Sequence, residues 1–194
     1  MKIYILLYFC LISLSSFSCN KDMNAYQNLN SQLDEITIKD IHSGYDNNRF
    51  TVKELVSNYI DRINNIDQSG PLLNSIIVIN PDALAIADSL DEIHMLGGEK
   101  GTLFGIPVLL KDNIDVKGDM PTTAGSRILK DSFPLRDSWV AKKLKASGAI
   151  ILGKTNLSEW ANYRSSYSSS GWSGIAGQTK NPYVLDRNPC GSSS

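Results

Sequence analysis

Apolar and polar positions alternate along this chain in two distinct rhythms. Thr51 and Glu54 form a T-x-x-E pattern, in which hydroxyl and carboxylate reciprocally satisfy free backbone N–H groups at a helix start. Val52, Leu55, Val56, Tyr59, Ile60 and Ile63 then recur at helical spacing, which predicts one stripe facing a core. A shorter periodic segment, "TIKDIHSGY", begins at Thr37. "NSIIVIN" has the other rhythm and predicts a buried strand. Asn80 and Pro81 close it and open a helix running to about Met95, where Gly97 and Gly98 stop it.

The rhythm repeats downstream. "GTLFGIPVLLKDNID" reads as a turn and a short apolar strand over 108–110, running directly into Lys111. "DSWVAKKLKASGAIILGKTN" reads as a helix ending at Gly148 and a buried strand over 149–152. This alternation of helix and strand predicts an α/β architecture around a central sheet. Residues 164–177, "RSSYSSSGWSGIAG", hold too little apolar surface for a core element, and no internal repeat is present.

The first nineteen residues break the pattern. "MKIYILLYFCLISLSSFSC" carries a positive charge at Lys2, an apolar run over 3–12 and small residues before Cys19. A bilayer-spanning helix takes roughly 20 apolar residues, so the run fits the apolar region of a secretory signal. Cys19, preceded by Ser-Phe-Ser, resembles a relaxed bacterial lipobox, with Ser16 where a strict one has Leu. The expected organisation is a signal peptide of lipoprotein type over 1–19, a polar tether over 20–35 and one domain over 36–194. Lipidation at Cys19, or ordinary signal cleavage, would export the protein to the periplasm or anchor it to a bacterial membrane.

Composition narrows the function classes. The chain has 194 residues, 42% of them hydrophobic, and a formal net charge of −1, which suits a soluble domain with a sizeable core. The near-zero charge and the lack of a Lys/Arg cluster argue against a nucleic-acid partner. Three cysteines make no disulfide framework: Cys10 lies in the signal, Cys19 at the processing site, and Cys190 is left alone. Cys190 is expected to pack as a small residue. His42 and His94 fall on predicted helices without a second ligand at metal spacing, so they read as exposed helix residues and no metal or other cofactor is expected.

Without a catalytic histidine, a hydrolase needs another base. Lysine serves where burial makes its neutral form accessible. Lys111 leaves a run of four apolar residues, 107–110, although strand position alone favours a lysine that simply emerges into solvent.

At this point the motifs "GIPVLLKDNID", "TTAGS", "GAIILGKTNLSEWA", "GQTKNPY" and "NPCGSSS" appear in an order and spacing that resembles the amidase signature family, most closely its peptide amidase branch. The resemblance covers 37–194. It implies an α/β/α sandwich around a large mixed sheet, truncated here, and hydrolysis of a carboxamide by a Ser–cis-Ser–Lys triad. Matched residue by residue, the lysine is Lys111 and the relay serine, on a cis peptide bond, is Ser192, with Ser193 next if the register slips by one. The family's acylated serine falls about two dozen residues beyond the relay serine, so the chain is expected to be the N-terminal part of a longer amidase and inactive alone.

Other positions carry open readings. Ser126 of "TTAGS" either lines the substrate site or satisfies backbone in a turn, and the 165–173 loop, with Ser170, either borders the substrate pocket or is disordered. Lys154, Asn156 and Glu159 read as structural, with Asn156 or Ser158 capping a short helix. The expected partner is a small amide or peptide-amide substrate. The alternatives are another branch of the family (an amidotransferase A subunit, an indoleacetamide hydrolase or a fatty-acid amide hydrolase) and an exported scaffold without catalysis. Oligomeric state is not legible.

Overall fold

The computed structural model describes residues 33–163 and 165–193. The segment read as a signal peptide, Cys19 and the expected tether up to residue 32 lie outside the described residues. The chain divides into two compact units, Met1–Ile41 and His42–Ser194. Thr37 caps helix α1 (Ile38–Asp46), which runs across the boundary at residue 41: Asp40 N–H donates to Thr37 Oγ1 at 3.2 Å, and the Thr37 hydroxyl donates to the Asp40 carboxylate at 2.5 Å.

The second unit contains α2 (Val52–Arg62), β1 (Ile76–Ile79), α3 (Ala83–Met95), β2 (Pro107–Lys111), α4 (Trp139–Ala146) and β3 (Ile150–Thr155). Both halves of the Thr51/Glu54 capping box form, at 3.0 and 2.8 Å. Val52, Leu55 and Val56 of the α2 stripe are fully buried, and α3 packs against α2 and β3. Asp91 of α3 reaches the start of α2, where its carboxylate accepts the N–H groups of Val52 and Lys53 at 2.7 and 3.0 Å. A carboxylate at that place also complements the positive end of the helix dipole.

The sheet has the order β1-β3-β2, antiparallel between β1 and β3 and parallel between β3 and β2. It is the mixed sheet expected of an α/β protein. The strand predicted over 149–152 extends to Thr155, because β3 is central and its polar end is paired on both sides. β1 is an edge strand and only Ile76 of it is buried, less than the apolar run predicts.

One irregularity decides which residues share a face. In the β2–β3 ladder Val108 pairs with Ile151 but Leu109 pairs with Gly153, so β3 carries an extra residue at Leu152. A bulge of this kind changes the alternation of side chains along the strand. Ile151 and Lys154 therefore come to the same face, together with Val108, Leu110 and Val78. That face packs against Ala141 and Leu144 of α4 and is closed by Ile114, Val116 and Met120. Lys111, next after Leu110, points to the opposite face.

The two histidines depart from the exposed positions expected of them. His42 and His94 are half-buried around Tyr45 and Phe104. The His42 ring nitrogen lies 3.1 Å from the Phe104 carbonyl, and that of His94 lies 3.1 Å from the Tyr45 carbonyl. The Tyr45 hydroxyl donates to Gly105 O at 2.8 Å, and burial pushes its pKa upward. Imidazole supplies a flat apolar body with a polar tip, which suits a half-buried position facing a backbone carbonyl.

Candidate active site

The C-terminal end of β2 meets the last described segment of the chain. Lys111 Nζ lies 2.8 Å from Ser192 Oγ, across 81 positions of sequence. Lys111 is partly buried, and desolvation lowers its pKa from the ordinary lysine value. Among the described residues it forms no ion pair that would oppose this shift. The pair is the central geometric fact of the molecule.

Ser192 is held by the segment that leaves β3. Leu157 and Ser193 form an isolated antiparallel bridge, and Ser158 N–H donates to Ser192 O at 3.3 Å. Ser158 is fully buried. Its hydroxyl accepts Gly171 N–H at 2.8 Å and donates to Gly191 O at 3.1 Å. The sequence predicts Asn156 or Ser158 as cap of the short helix Glu159–Asn162, but Ser158 makes no side-chain cap there because its oxygen is engaged by the 171 and 191 backbones. Asn156 instead accepts Leu157 N–H and the Ser173 hydroxyl and donates to Thr179 Oγ1 at 2.9 Å. It ties the Ser/Gly-rich segment to the end of the sheet. That segment is ordered by a short hairpin, β4 (Trp172–Ser173) and β5 (Gly177–Gln178), which the low apolar content concealed.

The remaining singled-out residues fall at different distances from the pair. Ser170, read as lining the substrate pocket, donates its hydroxyl to Gly191 O at 2.9 Å. Ser126 is buried in the turn after Thr123, with its N–H donating to Thr123 O at 2.9 Å. Glu159 accepts Gly174 N–H at 2.7 Å. Cys190, expected to pack beside the site, is exposed, with φ of 66° directing its side chain outward from a tight turn.

The cis peptide bond that the family resemblance implies at Ser192 is not present. No described peptide bond is cis, and the Gly191–Ser192 bond is trans. A non-proline cis bond costs about 3–4 kcal/mol and persists only where packing enforces it. A side chain placed on Gly191 would meet nothing within 4 Å.

A second lysine, whose burial the sequence does not reveal, lies one strand away. Lys154 is fully buried, and its ammonium donates to Ile114 O at 2.7 Å and Thr122 Oγ1 at 3.1 Å. It stands 3.9 Å from Asp112, whose carboxylate accepts the Thr123 hydroxyl and the Thr123 N–H. Asp112 O accepts Ala124 N–H at 3.0 Å, so the "TTAGS" turn is pinned to the end of β2 directly after Lys111. Burial pushes the Asp112 carboxyl up, opposed by the Thr123 bonds and the Lys154 charge, and pushes the Lys154 amine down, opposed by the charges of Asp112 and Asp115. The two-residue period of the strand was the available signal for Asp112, since Leu110 and Asp112 share a face.

Comparison with known proteins gives the family. The family model described as Amidase matches residues 54–194. A probable amidase of Arabidopsis thaliana is 46% identical over 164 residues, covering 84% of this chain and 31% of that protein. The A subunit of the glutamyl-tRNA(Gln) amidotransferase from Alkaliphilus metalliredigens is 43% identical over 162 residues, covering 84% and 31%. The solved peptide amidase from Stenotrophomonas maltophilia superposes with a TM-score of 0.79 at 43% identity, over 82% of this chain and 32% of that one. The chain belongs to the amidase family, and it spans about a third of the length of the relatives it matches.

Proposed function

We propose that the protein is an amide hydrolase that cleaves a carboxamide C–N bond through an acyl-serine intermediate, with Lys111 as base and Ser192 as proton relay. The observation that carries this reading is the 2.8 Å contact of Lys111 Nζ with Ser192 Oγ in a member of the amidase family. Proton transfer requires a heavy-atom separation of about 2.6–3.2 Å. Once the amine is neutral, its lone pair accepts the Ser192 proton across the same distance. Ser192 then accepts the proton of an attacking serine hydroxyl while a C–O bond forms at the amide carbon. The proton returns through Ser192 to the leaving nitrogen as the C–N bond breaks, and water repeats the sequence on the ester. This is Ser–Lys chemistry with an activated hydroxyl. The attacking serine is not assigned to any residue of this chain.

The peptide amidase likeness favours a C-terminal peptide amide as substrate. A role as an amidotransferase subunit is the second reading, supported by identity of the same order. The apolar segment before Cys19 favours an exported, lipid-anchored protein, which fits the first reading better. Palmitate labelling lost in Cys19→Ser supports the anchor, and labelling that survives refutes it. The protein encoded by the complete reading frame should release ammonia from a peptide amide with no tRNA or partner subunit present. Release that requires both would establish the second reading instead.

A further inference from the structure

We infer that Ser158 and Ser170 are positioning residues that fix the plane of the Gly191–Ser192 peptide and so aim Ser192 Oγ at Lys111; the inference rests on the relay reading above. Both hydroxyls converge on one atom, the Gly191 carbonyl oxygen, at 3.1 and 2.9 Å. A carbonyl oxygen has two acceptor lone pairs, and two donors hold it against rotation. Its orientation sets the plane of the peptide that Ser192 begins.

Each donor is itself held. Ser158 is fully buried, and its oxygen accepts Gly171 N–H at 2.8 Å, which leaves its single proton for Gly191. Its own N–H reaches the next carbonyl, Ser192 O, at 3.3 Å. Ser170 is anchored through its carbonyl, which accepts Gln178 Nε2 at 2.7 Å. Gly171 lets the loop approach closely, with φ of 79° and Pro189 Cγ only 2.6 Å from where a Cβ would stand.

Other restraints on this segment are few. Cys190 and Gly191 take consecutive positive φ values, 66° and 75°, Cys190 is exposed, and Gly191 has open space around it. The Leu157–Ser193 bridge and the Ser158 N–H hold the backbone after this peptide, and the two hydroxyls hold its carbonyl. Misplacing a reacting group by about 1 Å costs roughly 10²-fold in rate.

The test uses the protein encoded by the complete reading frame and a peptide amide as substrate. Ser158→Ala/Ser170→Ala should lower kcat by about 10²-fold with KM within about twofold, because the relay is displaced while the substrate site is not. Ser170→Thr, which keeps the hydroxyl at a partly exposed position, should restore what Ser170→Ala loses. Should the double variant fail to fold by circular dichroism, the Ser170→Ala and Ser170→Thr pair decides alone. Wild-type kcat in the alanine variants, alongside an inactive Ser192→Ala, overturns the positioning role and leaves the relay standing. An active Ser192→Ala overturns the relay itself. Loss in Ser170→Ala that Ser170→Thr fails to restore also overturns the inference, since a hydroxyl is then not what matters.

Discussion

Two lysines stand at the ends of neighbouring strands and meet opposite fates. Lys154 is fully buried, yet its ammonium has a carbonyl, a hydroxyl and a nearby carboxylate for company. Lys111 is less buried, and among the described residues it has Ser192 and no ion pair. Both amines are lowered by desolvation, but only Lys154 has acidic neighbours, Asp112 and Asp115, pulling it back. Depth of burial alone would nominate Lys154, not the proposed base Lys111. The counter-charge decides: a lysine with a carboxylate beside it is held as ammonium, whereas one facing a hydroxyl can lose its proton.

The comparison can be broken most sharply at Lys111. In the protein encoded by the complete reading frame, Lys111→Ala should lower kcat by about 10³-fold or more, by analogy with loss of a triad member. Lys111→Arg should be as inactive, because a guanidinium stays protonated. Far-ultraviolet circular dichroism should stay unchanged in both. An active Lys111→Arg would show that no neutral amine is needed at this position.

At Lys154 the expected loss is of stability rather than chemistry. Removing one partner of a buried pair costs about 3–5 kcal/mol, since Asp112 is then buried without its counter-charge. Lys154→Met should show this loss in urea unfolding, and Lys154→Met/Asp112→Leu should recover part of it. If Lys154→Met unfolds at the wild-type midpoint, the buried pair is not structural.

The pH dependence of turnover sharpens the same contrast. In the proposed mechanism the active form of Lys111 is neutral, and its neutral fraction grows as pH rises. kcat/KM should therefore climb by about tenfold per pH unit along an acid limb. Burial places the midpoint of that limb below the ordinary lysine value of 10.5. A rate that falls as pH rises through neutrality would contradict the sign. The smallest effect belongs far from either lysine: Thr51→Ala should cost about 1 kcal/mol by removing half of the α2 capping box, read as a lower thermal midpoint with kcat unchanged.

Some of this was legible in the sequence and some was not, for physical reasons. Thr51 and Glu54 are local, so their spacing alone predicts the cap that forms. The strand leading to Lys111 was likewise legible from its apolar run. The bulge at Leu152 was not, because it depends on how two strands pair, and without it Lys154 would alternate to the other face. His42 and His94 were read as exposed because a helical position does not reveal which distant backbone carbonyl will pack against it. Cys190 was misplaced for a similar reason: its positive φ turns it outward, and composition carries no sign of that. The convergence of Ser158 and Ser170 on Gly191 joins three segments, and no single motif contains it.

The central claim is that Lys111 and Ser192 work as one relay, and a double-mutant cycle on kcat measures this directly. Residues that act as a unit lose their contribution once. Lys111→Ala/Ser192→Ala should therefore be no slower than the slower of the two single variants. If the two losses multiply, the lysine and the serine act independently and the relay does not exist.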